Sequence, residues 1–154
     1  VFGAPELSSP GHFGLIIGDA QGGTASQTLI DTVQAAMGTN GDGIAPIGHT
    51  VTVGTSTDLP INVTASVVLK TVTSFEIVKP DIEAAIQRYI EGIGFTDQTV
   101  FWAKLVSEIL NSNENIMDVG SVAMNGASGN IALSKTFELY QIPTVGTITV
   151  TEAV

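Results

Sequence analysis

The stretch from Gly48 to Leu69, GHTVTVGTSTDLPINVTASVVL, alternates apolar and polar residues for longer than a helix can tolerate. Val51 and Val53 alternate with Thr50 and Thr52. After a Thr57–Pro60 joint, Ile61, Val63, Ala65, Val67 and Leu69 alternate with Asn62, Thr64, Ser66 and Lys70. A strict period of two describes extended backbone with one buried and one wet face. The stretch therefore predicts two strands, over about 49–56 and 60–70, with Val68 as the one residue out of phase.

The rest of the chain is organised around that pair. Pro5, Ser8, Ser9 and Pro10 mark residues 1–10 as a linker. The start without a methionine reads as a fragment of a longer protein. His12–Gly18 is a short apolar run bounded by glycine and predicts a buried strand. Thr24 and Gln27 fit a capping box for a helix carrying Leu29, Ile30, Val33, Ala36 and Met37, with Gly38 as its terminator. TNGDGIAPIG, 39–48, is a loop.

Residues 72–78 are ambiguous between strand end and loop. Pro80 suits the first position of a helix whose stripe is Ile82, Ala85, Ile86, Tyr89, Ile90 and Ile93. A second helix is predicted from about Thr99, with Phe101, Trp102, Leu105, Val106, Ile109 and Leu110 on one face. Strands then follow at 116–124 and 129–133, joined by Asn125–Ser128 with hairpin chemistry. An irregular stretch, 134–143, precedes a last strand at 145–150. The order is β-α-β, then β-α-α-β-β-β, an α+β fold of small mixed or antiparallel sheets packed against helices. The expected division is 1–57, a linker plus small βαβ module, and 58–154, a βααβββ module.

Composition narrows the function classes. The net charge is −10, and the five bases stand singly, so no basic stripe exists for nucleic acid or an anionic membrane. No apolar run has the length of a membrane span. Without cysteine, thiolate chemistry and disulfides are excluded. Only 13% of residues are charged, which suits a surface partly covered by neighbours.

No catalytic constellation is legible. Pairing of their strands would bring His12 and His49 together with Asp19 or Asp58 nearby, but no metal-ligand spacing supports such a site, and a structural or solvent-exposed role is expected for both histidines. Asn40-Gly41-Asp42-Gly43 resembles part of a calcium loop, but the position needing glutamate is Val51. The glycines near Asp19 fit no phosphate cradle. The reading is therefore no enzyme, no cofactor, no metal and no small-molecule substrate. Tyr89, Phe101 and Trp102 read mainly as core anchors and, secondarily, as the candidate interface residues.

Three stretches carry a family resemblance: HFGLIIGDAQGGTASQTLIDTVQAAM, PIGHTVTVGTSTDLPINVTASVVL, and DIEAAIQRYIEGIGFTDQTVFWAKLVSEILNSNENIMDVGSVAMNG. Together they resemble the C-terminal portion of the baseplate J family, structural proteins of contractile phage tails and related injection machines. The resemblance spans about residues 11–150 and offers no active-site residues. It departs from the family at Asn111–Asn115, where a compact Pro-Gly turn is usual, and nothing matches the family's N-terminal half.

The resemblance implies a structural assembly module of a phage or prophage baseplate, located in the virion tail and assembled in the host bacterial cytoplasm. Its partners would be copies of itself and other baseplate subunits. The rival class is a secreted or surface carbohydrate-binding or adhesion domain, which needs a groove of exposed aromatics. Self-association is expected through the 60–70 strand, whose edge is guarded only by Pro60 and Lys70.

Overall fold

The computed structural model describes residues 11–20, 22–38, 42–71 and 73–153. The expected linker at 1–10, and Asn40 and Gly41 of the calcium-like loop, lie outside them. The fold is α+β, and the chain divides into two compact units. One holds the described residues up to Asp58 together with Ser134–Ile142; the other holds Leu59–Leu133 and Pro143–Val154. Ser134–Ile142 thus returns to the first unit.

In the first unit, β1 (His12–Ile17) and β2 (Thr50–Thr55) pair in parallel, His12 beside Thr50 and Ile17 beside Thr55. Parallel neighbours need a crossover, and α1 (Gln27–Met37) supplies it. The capping box does not form. Ser26 is the N-cap, its hydroxyl accepting from the Leu29 N–H at 3.3 Å. Thr24 instead donates to Asp58 Oδ1 at 3.0 Å, so the helix starts two residues later than the cap motif implies.

The far end of α1 follows the sequence. Gly38 has φ +66°, and a Cβ there would sit 2.8 Å from Gly43 Cα. Only glycine adopts that conformation at that approach without strain. The loop after it is tied to the helix end: Ile44 N–H donates to Ala36 O at 3.1 Å and Ala45 N–H to Met37 O at 2.9 Å. Across the unit, the half-buried Phe137 lies against both Gly14 of β1 and Gly54 of β2.

In the second unit, the sheet order is β5-β3-β7, with β3 (Thr57–Leu69) in the middle, β5 (Ile116–Met124) antiparallel to it, and β7 (Gln141–Glu152) on the other side. Thr57 N–H bonds Tyr140 O and Ala153 N–H bonds Val67 O, so β7 runs in the same direction as β3. The alternation in β3 is realised in full: Ile61, Val63, Ala65, Val67 and Leu69 are all buried. The Thr57–Pro60 joint is not a loop; the strand begins at Thr57. Pro60 is tolerated because β5 pairing starts only at Val63, so the missing N–H leaves no gap in that ladder. Because β3 is the central strand, it has no free edge, and the expected self-association through its edge is corrected here.

The helices begin elsewhere than expected. α2 (Phe75–Ile93) starts five residues before Pro80, which lies inside it. The early turn is held by burial, since Val78 and Ile82 are fully buried on its inner face. That packing outweighs the lost hydrogen bond of an internal proline. α3 (Trp102–Leu110) starts at Trp102, because Thr99–Val100 forms the two-residue strand β4, paired with β6 (Ile131–Ala132).

Asn125 (φ +49°) and Gly126 (φ +82°) make a two-residue turn closed by reciprocal Met124–Ala127 bonds. The chain then leaves β5 and pairs with β4, so the predicted hairpin is a single bridge. α2 and α3 cover one face of the sheet, with Ile86, Ile90, Leu105 and Ile109 in one buried cluster with the β3 residues.

Candidate assembly surface

Tyr89, on α2, reaches the start of α3. The Phe101 N–H donates to Tyr89 Oη at 2.9 Å, and the Tyr89 hydroxyl donates back to Phe101 O at 2.9 Å. Phe101 is the N-cap, a position where a serine or aspartate would ordinarily accept from the first-turn amides. Here remote side chains substitute: the Trp102 N–H donates to Asn130 Oδ1 at 2.9 Å. The Trp102 indole is anchored too, Nε1 donating to Val122 O at 2.9 Å while its ring packs on the core.

The three sequence candidates are therefore adjacent, but their roles differ. Tyr89 and Trp102 fix the helix start from inside. The Phe101 ring is 39% exposed, with Lys104 Nζ 5.2 Å from its centroid. Phe101 is not on the core stripe where the helical spacing put it, because the helix begins one residue after it. The exposed groove of aromatics that a sugar platform needs is not formed by these residues.

Burial raises the Tyr89 hydroxyl above its ordinary value of 10.0; the Phe101 backbone bond opposes this, and Asp97 and Glu108 add to it. Burial likewise raises Tyr140. The folded protein therefore holds these protons more tightly than the unfolded chain. The stabilising contribution is complete below the unfolded value and is lost as pH climbs through the raised one. Ultraviolet titration is expected to show phenolate forming above pH 10.0 in the native protein and at the ordinary value in urea. A native midpoint at or below the urea midpoint would contradict this.

The histidines stand at the same end of a parallel pair, His12 beside Thr50 and His49 stacked on Phe13 at 5.3 Å between centroids. Asp19 and Asp58 follow the opposite ends of those strands, about 20 Å away at the usual rise per residue. The topology thus separates the residues a metal site would need to combine. Among the described residues, no group of three or more His, Asp or Glu side chains could hold a metal ion. Among them, too, no helix is long and apolar enough to cross a membrane.

Sequence reasoning missed one feature. Ile44 and Ile47 are 73% and 87% exposed, on a loop whose backbone is bonded to the end of α1. Two large apolar residues within a Gly- and Pro-containing loop, outside any periodic pattern, were the available signal.

Residues 2–55 match the Baseplate J-like central domain, and residues 61–151 match the Baseplate J-like protein C-terminal domain. Two proteins of Bacillus subtilis strain 168, YqbT and the phage-like element PBSX protein XkdT, are each 26% identical over 151 residues. The match takes in 96% of this chain and 42% of each relative, so the chain spans under half the length of either. A chain of the cryo-EM structure of the anti-feeding prophage baseplate, 6-fold symmetrised, has the same fold with a TM-score of 0.54 at 14% identity. That likeness covers 86% of this chain and 29% of the other.

Proposed function

The chain belongs to the Baseplate J-like family, whose role in the phage tail baseplate is structural, and from that premise we propose that it works without catalysis, by contacts alone. The carrying observation is that the central and C-terminal domains follow one another along nearly the whole chain. Its partners in this reading are other baseplate subunits and further copies of itself, joined during assembly in the bacterial cytoplasm.

Exposed apolar residues on each unit support the reading. In the first unit, Ile44 and Ile47 are held out on a loop already fixed by backbone bonds, so little ordering entropy opposes their burial by a partner. In the second, Phe101 is the contact residue, and Tyr89 and Trp102 position it. The scarcity of charge fits surfaces that are covered in the assembled state.

Mass spectrometry of purified tails tests the proposal. The chain is expected in the tail fraction, cross-linked to other baseplate subunits through the Ile44–Ile47 loop or the Phe101 region. Recovery only in the soluble fraction, free of tail proteins, would contradict it.

A further inference from the structure

The exposed edges of the sheets are not equally guarded. On β2, the Gln34 side chain acts as a substitute strand: its Nε2 donates to Val51 O at 2.9 Å and its Oε1 accepts from Val53 N–H at 2.8 Å. β1 has Gly14, Leu15 and Ile16 buried. β5 carries Asp118 and two register shifts against β3, which break the regular row an incoming strand needs. β4 and β6 have only two residues each.

β7 differs. Its first residues are covered, Gln141 N–H donating to Ser134 O at 2.8 Å, and Pro143 has no N–H to offer. From Val145 to Thr151, VGTITVT, no charge, proline or other strand interrupts the outer side among the described residues. Ala153 N–H points inward to Val67. By the alternation of a parallel ladder, the N–H groups of Ile148, Val150 and Glu152 then point outward.

We propose that this edge of β7 is a strand-addition site, and that its occupant is the same edge of a second copy, paired antiparallel about a two-fold axis near Thr149. The proposal rests on the self-association included in the reading above and locates it.

Two observations select a second copy. The first is charge. In a chain of net charge −10, most self-appositions bring acids together, but here Glu152 falls opposite Thr144, Gly146 or Ile148 for an axis at Ile148, Thr149 or Val150. The second is facing. Directly paired residues share a face of the sheet. A second copy therefore places its Ile148 and Val150 on the α2 side and its exposed Thr147, Thr149 and Thr151 on the wet side. On the α2 side, beside this edge, lies a groove of about 430 Å³ lined by Pro80, Glu83, Ala84, Gln87, Gly146 and Ile148, so this chain's own side chains leave room there for an added strand.

Sedimentation equilibrium of the whole chain, at high micromolar concentration and at two salt concentrations, tests this with three proteins. The unmodified chain is expected to dimerise, more strongly at the higher salt as repulsion is screened. Thr147→Lys with Thr149→Lys is expected to weaken the dimer by about tenfold or more, since like charges meet across the new pairing. Those substitutions also reduce the net negative charge, so general repulsion cannot explain a loss. Ala103→Lys, on the exposed face of α3, is expected to leave the dimer intact.

An unmodified chain that stays monomeric throughout overturns both the self-association and its location. A dimer insensitive to the β7 substitutions overturns the location alone. Amide exchange gives a second measure that needs no variant: Ile148, Val150 and Glu152 should gain protection as the dimer forms. Unchanged exchange at those amides in a sample shown to be dimeric would also overturn the location.

Discussion

Replacing Ile86 with alanine is expected to destabilise the second unit by about 2–5 kcal/mol. Ile86 is fully buried in α2, within the cluster that includes Ile61, Val63 and Leu105. Removing three carbons there forfeits their transfer free energy and leaves a cavity that the closely packed neighbours fill only in part. Leu105→Ala should behave alike, because Leu105 has the corresponding place in α3 and is also fully buried. Urea melts give the measurement. A cost under about half a kcal/mol for both would mean that the helix stripes do not form the core described.

Gly14→Val is expected to cost the first unit about 1–3 kcal/mol by overpacking. A Cβ at Gly14 would stand 2.8 Å from Phe137 Cγ and 2.9 Å from its Cε2, closer than carbon atoms approach. Gly54 is the milder site, where a Cβ would be 3.2 Å from Phe137 Cε2, a contact the ring can relieve by a small shift. Since the obstacle is one side chain, Phe137→Ala should recover part of the loss in the Gly14→Val background. A double-mutant cycle measured on first-unit amides should give a coupling of about 0.5–3 kcal/mol. Strict additivity would show that Phe137 does not occupy the Gly14–Gly54 notch.

Much of the fold was legible because it rests on local periodicity. The β3 alternation, the α2 stripe and the Gly38 terminus each depend on residues within a turn or two of one another. The misreadings arise where distant residues decide. Pro80 is compatible with a helix start, but burial of Val78 draws a further turn in ahead of it. The start of α3 lacks a local cap because Tyr89 and Asn130, 12 and 28 residues away, provide for it. β4 is only two residues long and exists because β6 comes alongside, which no short window reveals.

The candidate surface was legible in part for the same reason. Tyr89, Phe101 and Trp102 do gather, but hydrogen bonds invisible in the sequence give two of them internal duties. β7 read as an ordinary alternating strand. Its importance comes from edge position, and that depends on β3 lying between it and β5. Central and edge strands have similar sequences until the pairing is known.

The family's structural role requires the chain to be physically present at one end of the tail. Electron microscopy of purified tails, labelled with a gold-tagged antibody fragment against the Ile44–Ile47 loop or, in parallel, against the exposed α1 face, measures that position. The account predicts label confined to the baseplate end, with the α1 label retained and the loop label weakened wherever the loop is buried in contacts. Label distributed along the sheath or tube, or tails that bind neither reagent while the free chain binds both, would contradict it.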